Sequence, residues 1–203
     1  MKNIFIFLIL FIISCNTKAQ NIESLYDGLT YGEANKYYKD VYNDLDAFTG
    51  TWTFTDDTTS FTITLQKKVR MQQDNFYEDV LVGGYSYVVD GRILVNTLPL
   101  LNNNYQQKQN YTLFGNSIIG PIYLDCIDCT PSTRRVSLSF WEPNRDVWFM
   151  APRMIFERVD ANEVQKLRVV FKTTATASPN SMDHEPEYDT YSIPLGTYIL
   201  IKQ

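Results

Sequence analysis

The stretch from Phe48 to Lys68 constrains this chain more than any other. It reads FTGTWTFTDDTTSFTITLQKK. Trp52 and Phe54 fall on one face of an extended segment, and Thr51, Thr53 and Thr55 on the other. After Asp56-Asp57-Thr58-Thr59-Ser60, Phe61, Ile63 and Leu65 share a face opposite Thr62, Thr64 and Gln66. A period of two residues is the signature of a strand with one buried face, so this is a hairpin closed by a polar turn. Threonine, phenylalanine and isoleucine suit a pleated surface better than a helix. Gly50 allows an unusual backbone angle before the strand, and Trp52 fills the end of a core.

The rest of the chain repeats this grammar. Asp79 to Val89 reads as a long strand with a bulge or bend at Gly83-Gly84, and Asp90-Gly91 is a tight hairpin turn into Arg92 to Asn96. Val69 to Asn75 reads as a polar connection. Tyr111 to Ser117, Ile118 to Asp125, Arg135 to Trp141, Val147 to Val159, Lys166 to Thr174 and Gly196 to Lys202 are further strand-like runs, with breaks near Gly120-Pro121 and Pro152. About nine or ten strands at this spacing make an antiparallel barrel or a β-sandwich. Periodicity does not separate the two, although a barrel hides its edges.

The N-terminal end carries a different signal. Lys2 precedes an unbroken apolar run from Ile4 to Ile13. That run is too short to span a bilayer and has the form of a secretory signal over residues 1–19. Two cleavage sites compete. Ile12-Ile13-Ser14-Cys15 resembles a bacterial lipobox, which would make Cys15 the lipidated first residue. Thr17-Lys18-Ala19 before Gln20 resembles an ordinary signal-peptidase site. The lipobox is favoured, because an exposed unpaired thiol is a liability in an oxidising compartment. The expected location is the periplasm or outer membrane as a lipoprotein, or the exterior.

Cleavage after Ala19 removes Lys2 and Lys18 and no acid, which takes the formal charge from −5 to −7. No basic stripe remains, which argues against nucleic acid as a partner. Membrane contact would come only through a lipid on Cys15. Residues 20–47 form a linker or short helix, with Tyr37, Tyr38, Val41, Tyr42 and Leu45 spaced for one face of a helix over Glu33 to Leu45. The expectation is that this segment docks against the domain rather than plugging a barrel. Residues 48–203 are the β domain.

The entry Gly50-Thr51-Trp52, the run FTITLQK and the closing GTYILIKQ resemble an uncharacterised lipocalin-like family of secreted bacterial envelope proteins. The resemblance implies a lipocalin-like antiparallel β-barrel preceded by a short helix, with aromatic side chains lining a ligand cavity. Trp52, Phe54, Phe61, Phe140 and Phe149 would line it, and the partner would be a small hydrophobic ligand. The competing expectation is that the same rings simply fill the interior, as in small barrels. The domain would then serve structure or bind a partner through loops such as Asn102–Asn110 and Thr176–Tyr191.

No catalytic group stands out. Cys126-Ile127-Asp128-Cys129 pairs best as a short disulfide, since no helix follows to lower a thiol pKa. The single histidine, His184, sits among Asp183, Glu185, Glu187 and Asp189. That patch matches no calcium loop and reads as solvated charge. There is no nucleophile elbow, phosphate loop or zinc pair. The sequence therefore calls for no cofactor, no metal and a non-enzymatic role.

Overall fold

The computed structural model describes residues 21–26, 31–120, 126, 129–145, 147, 151–173 and 187–203. Among these lie eleven strands and three short 3-10 helices. Eight of the strands close on themselves. In order round the wall they are β3 (Gly50–Asp56), β4 (Thr59–Gln72), β5 (Tyr77–Val89), β7 (Leu113–Ile119), β8 (Arg135–Phe140), β9 (Pro152–Arg158), β10 (Lys166–Thr173) and β11 (Gly196–Lys202). Each pairs with its neighbours antiparallel. The ring is sealed where Ile201 faces Thr53 and Lys202 faces Trp52 across β11 and β3. The chain is therefore a closed, lipocalin-like β-barrel, and the sandwich alternative falls away.

The anchoring hairpin forms as its alternation requires. Trp52 pairs with Ile63 and Phe54 with Phe61, and Trp52, Phe61, Ile63 and Leu65 are buried. On the opposite face Thr51 meets Thr64 at 3.0 Å and Thr53 meets Thr62 at 3.1 Å through their hydroxyls. Asp90 and Gly91 both have positive φ, 51° and 74°, the backbone that a two-residue hairpin turn between right-twisted strands needs. Every strand of the ring contributes to one buried cluster, which runs from Leu45, Phe48 and Trp52 at one end to Phe140 and Phe171 at the other.

The segment before the barrel is not a helix over Glu33 to Leu45. It supplies β1 (Asn21–Ser24) and β2 (Lys36–Lys39), then the 3-10 helix η1 (Asp44–Phe48), which is the short helix preceding the barrel. β2 runs parallel to the start of β5, with Tyr37 opposite Tyr77. Tyr37 and Tyr38, spaced for a helix, are instead drawn into this sheet and buried, while Tyr42 is left exposed in the turn that follows. Asp40 explains why η1 starts where it does. Its buried carboxylate accepts the N–H groups of Asp44 and Leu45, at 2.9 and 3.0 Å, and the Lys67 ammonium at 2.9 Å. The orphan donors of the first turn are thus satisfied from outside the helix.

η1 seals one end of the barrel, contrary to the simple docking expected of it. It touches β4 and β9, which stand on opposite sides of the ring. Leu45 and Phe48 are fully buried in the main core. The same end is lined by the polar groups that close it, since Asp79 accepts from the Tyr37 hydroxyl at 2.6 Å, from Asp40 N at 3.0 Å and from Arg70 N at 2.9 Å. Arg70 has φ of 53° and lies where the β4–β5 register shifts. The bulge of this strand pair is therefore here, and β4 continues to Gln72 through what reads as a polar connection.

Gly83 and Gly84 are not a bulge, because the β4–β5 register runs unbroken through them. They mark a change of partner on the other edge. β5 pairs with β7 from Leu81 to Gly83 and with β6 (Arg92–Asn96) from Ser86 to Val89. A Cβ on Gly83 would lie 2.6 Å from Leu65 Cδ2, and one on Gly84 would lie 2.9 Å from the Thr97 carbonyl oxygen. Two threonines fill the gap in the ladder. Tyr85 N donates to Thr97 Oγ1 at 2.8 Å, Thr97 Oγ1 lies 2.9 Å from Thr112 Oγ1, and Thr112 Oγ1 donates to Gly83 O at 3.3 Å.

The polar run after β6 is mostly exposed but is anchored at a few points. It forms η2 (Leu98–Asn103) and η3 (Lys108–Asn110) over the outer face of β5. Leu101, Tyr105 and Tyr111 pack there with Met71, Val80 and Val82 in a second small core. β5 is thus buried on both faces, which accounts for its apolar run. Fully buried Glu78 ties the flap down by accepting from the Lys108 ammonium, the Tyr31 hydroxyl and, at 2.6 Å, the Asn116 amide. Burial and this carboxylate push the Tyr31 phenol well above its ordinary value.

Candidate functional site

The rings divide between the two ends of the barrel. Trp52 belongs to the end sealed by η1. It is fully buried, its indole donates to Phe48 O at 2.9 Å, and the Arg158 and Lys202 cations lie 5.1 and 5.3 Å from its ring centroid. Phe54 and Phe61 point to the other end. They meet Tyr198 at 5.4 and 5.1 Å between centroids, and Phe61 also meets Tyr87 at 6.0 Å. Phe140 sits in a second group there, 5.0 Å from Tyr85, 4.6 Å from Phe171 and 5.3 Å from Tyr191. Phe149 lies outside the described residues, as do Trp148 and His184. Of the five rings singled out in the sequence, Phe54, Phe61 and Phe140 share an end and Trp52 does not.

That aromatic end carries an apolar pocket of about 390 Å³, lined by Tyr191, Ile193, Pro194 and Leu195 with Asp189 and Thr190 at its edge. Ile193 is buried and Leu195 is 48% exposed, so the pocket grades from core to solvent. Its backbone is held at several points. Buried Glu142 accepts Ser192 N at 2.9 Å, the Tyr198 hydroxyl donates to Pro194 O at 2.7 Å, and Arg145 Nε donates to Thr190 O at 2.7 Å. Tyr85 donates to Trp141 O at 3.1 Å across the same rim. Burial, with Glu142 nearby, raises the phenols of Tyr85 and Tyr191, and burial pushes Tyr198 up to about 12. All three are neutral hydroxyls at neutral pH, and the site has an aromatic floor.

Phe171, Tyr191 and Tyr198 complete this end, and the sequence reading did not single them out. Phe171 was legible as an inward position of β10. The pocket segment follows a hydrophilic loop, so Tyr191-Ser192-Ile193-Pro194-Leu195 was submerged in it. The apolar dipeptides around Pro194 were the available signal.

Cys126 and Cys129 stand at disulfide distance, with Cα atoms 5.4 Å apart. A Glu157 carboxylate oxygen lies within 4.8 Å of both sulfurs. Disulfide sulfur is not thiolate, so this trio presents one carboxylate oxygen and no metal-binding set of the kind zinc requires. Among the described residues no helix is long and apolar enough to cross a membrane.

A closed eight-stranded barrel with one end sealed by a 3-10 helix and an aromatic floor at the other defines a lipocalin-like architecture. The chain belongs to a family of unknown function, DUF6705, whose model matches residues 1–203. No curated protein and no solved structure matches it.

Proposed function

We propose that this chain is an exported, non-enzymatic envelope protein that binds a small apolar molecule at the aromatic end of its barrel. The observation that carries this reading is the 390 Å³ pocket on Tyr191 and Ile193, continuous through Tyr191 with the Phe140 and Phe171 rings. Small-molecule sites are concave, mostly apolar and a few hundred Å³ in size, with a few fixed polar groups. Asp189 and Thr190 are the polar groups at its edge, and Glu142 holds the pocket segment in place through Ser192 N. Export rests on the apolar run from Ile4 to Ile13, with Cys15 as the lipidated residue or Ala19 as the last residue removed. A cysteine pair at disulfide distance suits an oxidising compartment.

The ligand sits at the end of the barrel and not along its axis, because side chains from all eight strands already occupy the interior. That filled core also favours a second reading, a domain that binds a protein partner through its surface. Native mass spectrometry with organic extraction, on protein purified from the envelope, tests both. A stoichiometric apolar molecule lost on denaturation, and lost again in Leu195→Asp, supports the ligand reading. A bare chain that takes up no apolar fluorescent probe sinks it and leaves the partner-binding domain. Diacyl mass on Cys15 establishes the anchor, and a chain beginning at Gln20 excludes it.

A further inference from the structure

At the sealed end, opposite the apolar pocket, a groove of about 500 Å³ runs between η1, the turn 130–134 and the tips of β9 and β10. Three guanidinium groups line it, Arg134, Arg158 and Arg168, against the carboxylates of Asp44 and Glu157. Two of the arginines are already engaged. Arg168 pairs with Glu157 at 3.2 Å, and Arg158 pairs with Asp160 and donates to Ala47 O. Asp160 is accordingly held below the usual carboxylate range, since these hydrogen bonds outweigh its burial.

Arg134 is different. Its guanidinium carbon stacks 4.3 Å from the centroid of Tyr26, which fixes the plane of the fork. Its Nη1 is shielded from solvent and has no hydrogen-bond partner among the described residues. A buried donor left unmade is costly, and a guanidinium more so. Beside it, Thr130, Ser132 and Thr133 form one hydroxyl-bearing turn. Thr130 N donates to Thr133 Oγ1 at 2.9 Å, and Thr130 Oγ1 lies 3.0 Å from Ser132 Oγ and 3.1 Å from Thr133 Oγ1. Cys129, in its disulfide, immediately precedes this turn and so fixes where it starts.

We infer that this groove binds the oxyanion of a small organic acid or phosphate ester, with Arg134 as the anchor and the hydroxyls of the 130–133 turn as further donors. A planar guanidinium fork next to neutral hydroxyl donors is the chemistry that recognises carboxylate or phosphate oxygens. The site is separate from the apolar pocket and does not depend on it.

Citrate and inorganic phosphate, titrated into the folded chain at constant ionic strength, test the inference. The readout is backbone amide NMR at Thr130 to Arg134 with chloride as the control. Saturable shifts confined to this turn are expected from at least one of the two probes, and the stronger binder identifies the oxyanion as carboxylate or phosphate. Arg134→Gln should weaken that binding by about tenfold or more, the scale of one lost charge-assisted hydrogen bond. Arg134→Lys, which keeps the charge but loses the planar fork stacked on Tyr26, should retain the fold and bind several-fold more weakly. Shifts that chloride reproduces overturn the inference. So does wild-type affinity in Arg134→Lys and Arg134→Gln, or no saturable shift with either probe.

Discussion

The indole Nε1 of Trp52 donates to the carbonyl oxygen of Phe48 at 2.9 Å, and that bond joins the plug η1 to the wall it seals. Two cations flank the same ring, Arg158 from β9 and Lys202 from β11, so three elements of the sealed end converge on one side chain. Trp52→Phe keeps most of the buried ring and removes the donor. It should cost about 1–3 kcal/mol, because Phe48 O loses its buried partner. Trp52→Ala should cost about 3–5 kcal/mol through the cavity it opens. Urea unfolding followed by circular dichroism measures both, and a Trp52→Phe variant as stable as the parent would show that the bond contributes nothing.

The pair Thr97 and Thr112 should behave as a unit. Thr97 N donates to the Tyr85 carbonyl at 2.7 Å and the Thr97 hydroxyl to the same oxygen at 3.2 Å, while that hydroxyl also lies 2.9 Å from Thr112 Oγ1, which donates to Gly83 O. Thr97→Val orphans Tyr85 N, a donor with no room for water where β5 changes partner. The expected loss is about 1–3 kcal/mol. A double-mutant cycle with Thr112→Val should return a coupling of about 0.5 kcal/mol or more, and strict additivity would show that the two hydroxyls act independently.

The disulfide should matter locally. It closes a loop of only three residues' separation, so the chain-entropy gain is about 2 kcal/mol at most. The Cys126→Ser, Cys129→Ser double variant should therefore keep the barrel and lose no more than that in thermal or urea unfolding. Loss of cooperative folding would mean that the 126–134 segment holds the barrel together rather than decorating its sealed end.

Buried tyrosines predict the response to alkali. Burial raises the phenols of Tyr85, Tyr191 and Tyr198, and Tyr198 stands at about 12. An unfolded phenol ionises near about 10. A folded value above the unfolded one means that the stabilisation is complete below about pH 10 and is lost as pH climbs through the folded values. Tyrosinate absorbance should thus rise together with the loss of near-ultraviolet circular dichroism. Reversible ionisation of all fourteen tyrosines near the ordinary value, with the fold intact, would contradict this.

Local alternation carried a large part of the fold. The hairpin from Gly50 to Lys68, the turn at Asp90-Gly91 and the inward positions of β8 and β10 could be read directly, because a strand shows its buried face every second residue. The pattern misled where burial was not one-sided. Glu33 to Leu45 has helical spacing, yet Tyr37 and Tyr38 serve β2 and the carboxylate of Asp40 serves η1. The Asn- and Gln-rich run Asn102–Asn110 is a surface segment, but Leu101 and Tyr111 at its ends and Tyr105 within it anchor it to β5. Of the candidate site, Phe54, Phe61 and Phe140 were legible as aromatic inward positions. That they share an end, while Trp52 belongs to the opposite one, depends on strand register.

The sequence by itself determined a β chain of short antiparallel strands with an aromatic interior, since alternation and turn chemistry are local properties. Only the tertiary structure decided that the sheet closes through β11 and β3 and that η1 spans one end. It also brought Tyr191 to Phe140 and Arg134 beside the 130–133 hydroxyls. Each of these depends on pairing or packing between residues far apart in the chain. Such contacts are fixed by the mutual fit of whole elements, and no single segment encodes them.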